Sequence, residues 1–169
     1  NGGMTCPNRD GTLGNRGCIF CSQGGSGDFA PSPAKSITEQ IEDAKERIAN
    51  KTSARKFIAY FQAYTNTYAP VPYLEKIFME AAAHPDILIL SIATRPDCLG
   101  EEVLELLSRI SCIKPVWIEL GLQTIHPSTA SWIRRGFSLE DFHPSVINLK
   151  KRKIPVVAHV ILGFPGETR

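Results

Sequence analysis

The chain has 169 residues, 43% of them hydrophobic, and 19 Lys and Arg against 17 Asp and Glu leave a formal net charge of +2. That is ample for one cored domain, and the mixed, near-neutral charge gives no compositional sign of a polyanion or membrane-surface partner. The longest apolar runs (87–90 and 156–160) fall far short of a bilayer span, and an odd five cysteines, three of them crowded together, argue for a reducing, cytoplasmic setting with metal or redox chemistry rather than a secreted disulfide framework.

The first unusual segment is TCPNRDGTLGNRGCIFCSQGG at 5–25, holding Cys6, Cys18 and Cys21. A soft Gly/Ser/Pro stretch follows at 22–33. At 36–50 a helix is predicted: Ser36 stands three residues before Glu39 as a capping box, and Ile37, Ile41, Ala44 and Ile48 keep helical spacing. KFIAYFQAY (56–64) reads as a buried strand, rich in β-branched and aromatic residues. VPYLEKIFMEAAAH (71–84) reads as a helix with Pro72 in its first turn, where a missing N–H costs little. DILILSIATRP (86–96) is a second strand. GEEVLELLSRIS (100–111) is a helix with acidic residues at its positive end and Arg109 near its negative end. PVWIELGLQT (115–124) is a third strand, 127–136 and 138–153 are helical, with Pro144 in a first turn or at a break, and IPVVAHVILGFPG (154–166) is a fourth strand.

Strand and helix thus alternate four times, and the strands are apolar almost continuously. That pattern predicts one α/β domain over 1–169, a parallel sheet with outer helices, as an open sheet or a partial barrel. Ligands of such sheets gather at the carboxyl ends of the strands. Polar residues stand at all four: Gln62, Tyr64, Thr65, Asn66 and Thr67; then Thr94, Arg95 and Asp97; then Gln123; then Gly163 and Gly166, which permit close backbone approach. Glu119 lies inside an apolar strand, where a carboxylate is costly without partners, so it is expected to face a polar centre. His159 reads equally as a core histidine or a catalytic one. The basic run LKKRK at 149–153 suits an RNA phosphate contact, but equally the negative end of a helix.

The cysteines are spaced Cys6, eleven residues, Cys18, two residues, Cys21. Three readings compete. Buried small residues seldom crowd into a loop of Gly, Asn and Asp. A closed zinc site, as in a nucleic-acid-binding module without catalysis, wants four ligands, commonly two short-spaced pairs, and only one CxxC pair is present. An iron–sulfur cluster held by three thiolates leaves one iron open to a substrate or cofactor, and Gly11, Gly14 and Gly17 let backbone N–H groups approach the sulfides.

The loop resembles the cluster loop of the radical S-adenosylmethionine (SAM) superfamily, in which the last two cysteines flank a pair ending in an aromatic residue, as in Cys18-Ile19-Phe20-Cys21. The eleven-residue spacing is similar to that of the elongator catalytic-subunit branch. CPNRDGTLGNRGCIFCS, YFQAYTNTYAP and ATRPDCL resemble the YtqA/YhcC-like group, which includes MnmL-type tRNA-modifying enzymes. The resemblance implies a partial (β/α)6 barrel, begun just after its first strand and ended before its last βα unit. It further implies a [4Fe-4S] cluster on Cys6, Cys18 and Cys21, with SAM contacted by Phe20, Gln62, Thr65, Asn66, Thr94, Arg95, Glu119, Gln123, Arg135, Leu162 and Gly163. Arg135 is expected to pair with the SAM carboxylate. The activity implied is reductive cleavage of SAM to a 5′-deoxyadenosyl radical, with the tRNA wobble uridine as substrate and a flavodoxin- or ferredoxin-type electron donor. A radical SAM enzyme acting on another substrate remains open.

Overall fold

The computed structural model describes residues 1–168. Helix α1 spans Ile37–Ile48, β1 Phe57–Phe61, α2 Val71–Ala83, β2 Ile87–Thr94, α3 Glu101–Ser111, β3 Val116–Gln123, α4 Pro127–Trp132, α5 Leu139–Lys151 and β4 Val156–Val160. The expected elements are all present, with shorter bounds. Ser36 caps α1 through the reciprocal box with Glu39, which is why that helix starts where the sequence places it. Pro144 neither opens nor breaks α5; it lies inside a continuous helix. Docking of Phe142, Ser145 and Leu149 outweighs the lost backbone bond, and Ser145 Oγ donates to the Asp141 and Pro96 carbonyls. β4 stops at Val160, well short of 166.

The four strands form one parallel sheet in the order β1-β2-β3-β4. Period-2 alternation then separates two faces. Leu90, Ile92, Ile118 and Leu120 point to the helices and pack with Leu74 and Phe78 of α2, Leu104 and Leu107 of α3, and Leu149 of α5. Phe61 and Phe78 meet edge to face at 5.1 Å. Each such burial contributes about 2 kcal/mol before entropy is charged. The opposite face carries Tyr60, Ser91, Trp117, Glu119 and His159, and among the described residues no helix covers it. All the helix-side energy therefore serves to hold a polar face open.

Candidate active site

The cysteine loop is braced from within by two side chains. Asn8 is buried, and its amide donates to Cys18 Sγ at 3.3 Å and to the carbonyls of Arg134 and Arg135 at 2.9 Å each. Arg9 donates to the carbonyls of Cys21 (3.2 Å) and Ser22 (2.6 Å). Gly17, at φ +69°, leaves room for that guanidinium; a Cβ there would lie 2.9 Å from it. At Gly25, φ +63°, a Cβ would fall 2.3 Å from the Tyr64 ring. The two glycines let the loop fold back on the strand ends.

All three loop cysteines are free thiols and line one cavity of about 330 Å3 at the carboxyl edge of the sheet. Burial pushes the Cys18 thiol up, against the pull of the Asn8 amide and the Arg95 charge. Arg95 Nη1 lies 4.0 Å from Cys6 Sγ. Cys98 is set apart: burial, then the Asp97 charge, push its thiol up to about 12, which keeps it protonated. The sulfurs of Cys6, Cys18 and Cys21 are not all within 4.8 Å of one another; among the described residues only Glu42, His84 and Asp86 group that closely.

The polar residues after each strand divide into two sets. Gln62, Thr65, Gln123 and Phe20 line the cavity. Gln123 holds a left-handed φ of +67° at the β3–β4 irregularity, and its carbonyl accepts from Ile161 N at 2.9 Å. A non-glycine residue in that region is backbone strain placed beside the cavity. The second set is spent within the fold. Asn66 donates to the Phe61 and Ala93 carbonyls at 2.9 Å, and Thr67 Oγ1 meets Thr94 Oγ1 at 2.5 Å and the Cys98 carbonyl at 2.6 Å. These bonds lock the end of β1 to the end of β2.

Two arginines reach the cavity with most donors committed. Arg95 forks onto Asp97 (Nε–Oδ1 2.9 Å, Nη2–Oδ2 2.6 Å) and donates to the Arg135 carbonyl. Arg135 is buried and donates to the carbonyls of Leu122, Thr124 and Phe137 at 2.6–3.0 Å. Of its five N–H groups, one is left over. Both guanidiniums lie over the Phe137 ring, at 5.1 and 4.5 Å. Leu162 and Gly163 are exposed and outside the cavity wall, which reaches Ile161.

Glu119 does face a polar centre. Trp117 Nε1 donates to Ser91 Oγ at 2.5 Å, Ser91 Oγ–H donates to Glu119 Oε1, and Glu119 Oε2 meets His159 Nε2 at 2.7 Å. Burial, then the neighbouring Glu119 carboxylate, push the Tyr60 phenol up. Sequence reading missed Asn8, Arg9, Tyr60, Ser91, Trp117 and Phe137. Ser91, alone among apolar neighbours in ILILSIAT, carried a usable signal; Tyr60 and Trp117 pass for ordinary strand aromatics.

Fold and site together define a parallel α/β protein with a thiol-lined cavity at the carboxyl ends of its strands. Comparison with known proteins gives the particular family. The model of the Radical SAM superfamily matches residues 11–169, and the chain belongs to that superfamily. It is 45% identical over 169 residues to the uncharacterised protein YtqA of Bacillus subtilis, covering all of this chain and 52% of YtqA. Protein YhcC of Escherichia coli K12 is 39% identical over 168 residues, 99% of this chain and 53% of YhcC. The chain thus spans about half the length of these curated relatives. A tRNA uridine(34) acetyltransferase of Methanocaldococcus jannaschii is 32% identical over 87 residues, 52% of this chain and 15% of that protein. The solved Elp3 of Methanocaldococcus infernus superposes with a TM-score of 0.60 at 21% identity, covering 78% of this chain and 34% of that one, and shares the fold. The expected resemblance to the YtqA/YhcC-like group is met by the 45% and 39% identities. Membership implies an iron–sulfur cluster and SAM. Three soft thiols free of disulfides on one cavity, with a buried amide donor on one of them, are a donor set that fits. Among the described residues no helix is long and apolar enough to cross a membrane.

Proposed function

We propose that this chain is the radical-generating part of an enzyme that modifies the wobble uridine of tRNA, converting a 5-carboxymethylaminomethyl side chain toward 5-aminomethyl. The observation that carries the radical part is the convergence of Cys6, Cys18 and Cys21 on the cavity at the strand ends. Support for the tRNA part is the partial likeness to a tRNA uridine(34) acetyltransferase. When bound, the cluster and SAM supply reductive cleavage of a sulfonium and a hydrogen-abstracting radical.

The chain's own residues divide the remaining work. Cys6, Cys18 and Cys21 hold the cluster, and Asn8 positions Cys18. Phe20, Gln62, Thr65 and Gln123 offer open side chains for SAM. Arg95 and the one spare N–H of Arg135 put positive charge where a carboxylate would lie. Thr94 and Glu119 shape the cavity wall with polar groups already bonded within the protein, while Asn66, behind the wall, donates its amide to backbone and keeps a buried Oδ1 without a partner among the described residues. Leu162 and Gly163 contribute through their backbone, next to Ile161. A flavodoxin- or ferredoxin-type protein is the reductant in this scheme. The test compares wobble nucleosides of tRNA from cells with and without the gene by mass spectrometry. Build-up of the carboxymethylaminomethyl form is expected, and an unchanged nucleoside profile would direct the search to a substrate other than RNA.

A further inference from the structure

One pair on the cavity wall is bonded within the protein and leaves a histidine nitrogen open. His159 Nε2 lies 2.7 Å from Glu119 Oε2, with the glutamate side chain 15% exposed and the histidine 45%. The other carboxylate oxygen accepts from Ser91 Oγ and, at 3.3 Å, from Trp117 Nε1. Burial alone would raise the Glu119 carboxyl, but the hydrogen bonds from Ser91, Tyr60, His159 and Trp117 outweigh it and hold it below the usual carboxylate range. Glu119 is therefore ionised at neutral pH and acts only as an acceptor, so the hydrogen of the contact belongs to His159 Nε2. A neutral imidazole in that tautomer keeps its lone pair on Nδ1. Among the described residues no protein group hydrogen-bonds Nδ1, and the ring lines the cavity.

A purely structural pair explains less. β3 and β4 are already joined by their backbone register from Ile118↔Val156 to Gln123↔Val160. A half-exposed histidine adds little burial to that.

We propose that His159, oriented by Glu119, is the proton acceptor for an N–H or O–H group of the substrate. In this step the substrate N–H or O–H bond breaks, its electron pair stays on the heteroatom, and Nδ1 takes the proton. The imidazolium so formed rests against the Glu119 carboxylate, and the proton leaves Nδ1 to product or solvent. No electron changes hands. Glu119 is a positioning residue in this scheme. The other charged or titratable groups on the cavity wall are Tyr60 from β1 and Tyr64 just after it, Arg95 after β2, Arg135 after α4, and Arg9 with the three cysteines of the loop.

This inference deepens the functional reading and rests on it only for the choice of assay. Long-range 1H–15N spectra of 15N-histidine-labelled protein, with His159→Gln assigning the signal, should show the Nε2–H tautomer. An Nδ1–H tautomer overturns the dyad. With wobble-uridine tRNA as substrate, His159→Gln should lower kcat about 100-fold. A His159→Gln kcat equal to that of the wild type overturns proton acceptance. Should the wild type leave tRNA unmodified, the wobble-uridine reading fails, while the tautomer still decides the pair.

Discussion

Asn8 spends one amide nitrogen on Cys18 Sγ and on the carbonyls of Arg134 and Arg135, so a single side chain ties the cysteine loop to the segment after α4. An N–H···S bond stabilises the more negative, reduced state of a cluster. Asn8→Ala is thus expected to move the midpoint potential of reconstituted protein to more negative values, measured by redox titration. Replacing Cys6, Cys18 or Cys21 by Ala should each take bound iron to near zero, whereas Cys98→Ala should leave the iron-to-protein ratio unchanged, since burial keeps that thiol protonated. Glu119 makes a pH prediction of its own. Its carboxyl is held low in the fold, so its stabilisation is complete above the unfolded value of about 4.3 and is lost as pH falls through the lower folded value. Thermal melts into the acid range should show a steeper loss for wild type than for Glu119→Gln, and parallel curves would contradict the network.

Among elements, β3 supplies both worlds through alternation: Ile118 and Leu120 are fully buried toward the helices, while Glu119 and Gly121 face the cavity. Ile118→Ala should cost about 3 kcal/mol in denaturant unfolding, against less than about 0.5 kcal/mol for the exposed Ile147→Ala on α5. The elements themselves were legible because apolar runs, a capping box and helical spacing are local signals. Termini were less so. β1 ends at Phe61 because Asn66 and Thr67 take over its pairing to β2 through side chains, and Pro144 sits within α5 because tertiary docking overrides a local breaker. Cavity membership was legible for residues just past the strands, where a parallel sheet places ligands. What the spacing could not show is which polar atoms are already spent: Arg135 looks like a free fork in sequence and is tied to three backbone carbonyls in the fold.

Considered whole, the molecule keeps its core between the sheet and α2, α3 and α5, and its cysteine loop lies outside that core. Stripping iron with a chelator is therefore expected to leave the far-UV circular dichroism of reconstituted protein within experimental error. Hydrogen exchange should quicken at 6–25 and 134–137, which Asn8 couples, while β2 and β3 amides stay protected. Loss of the dichroism signal together with iron would show that the metal holds up the fold.

The even–odd partition of the strands has a practical corollary for anyone altering this protein. Exposed residues on the cavity side bear little of the weight of folding, so libraries varied at Tyr60 and Val160 should yield soluble variants far more often than equal changes at the buried Phe61 or Ile118. Selectivity in this scaffold is open to revision strand by strand, with its architecture left alone.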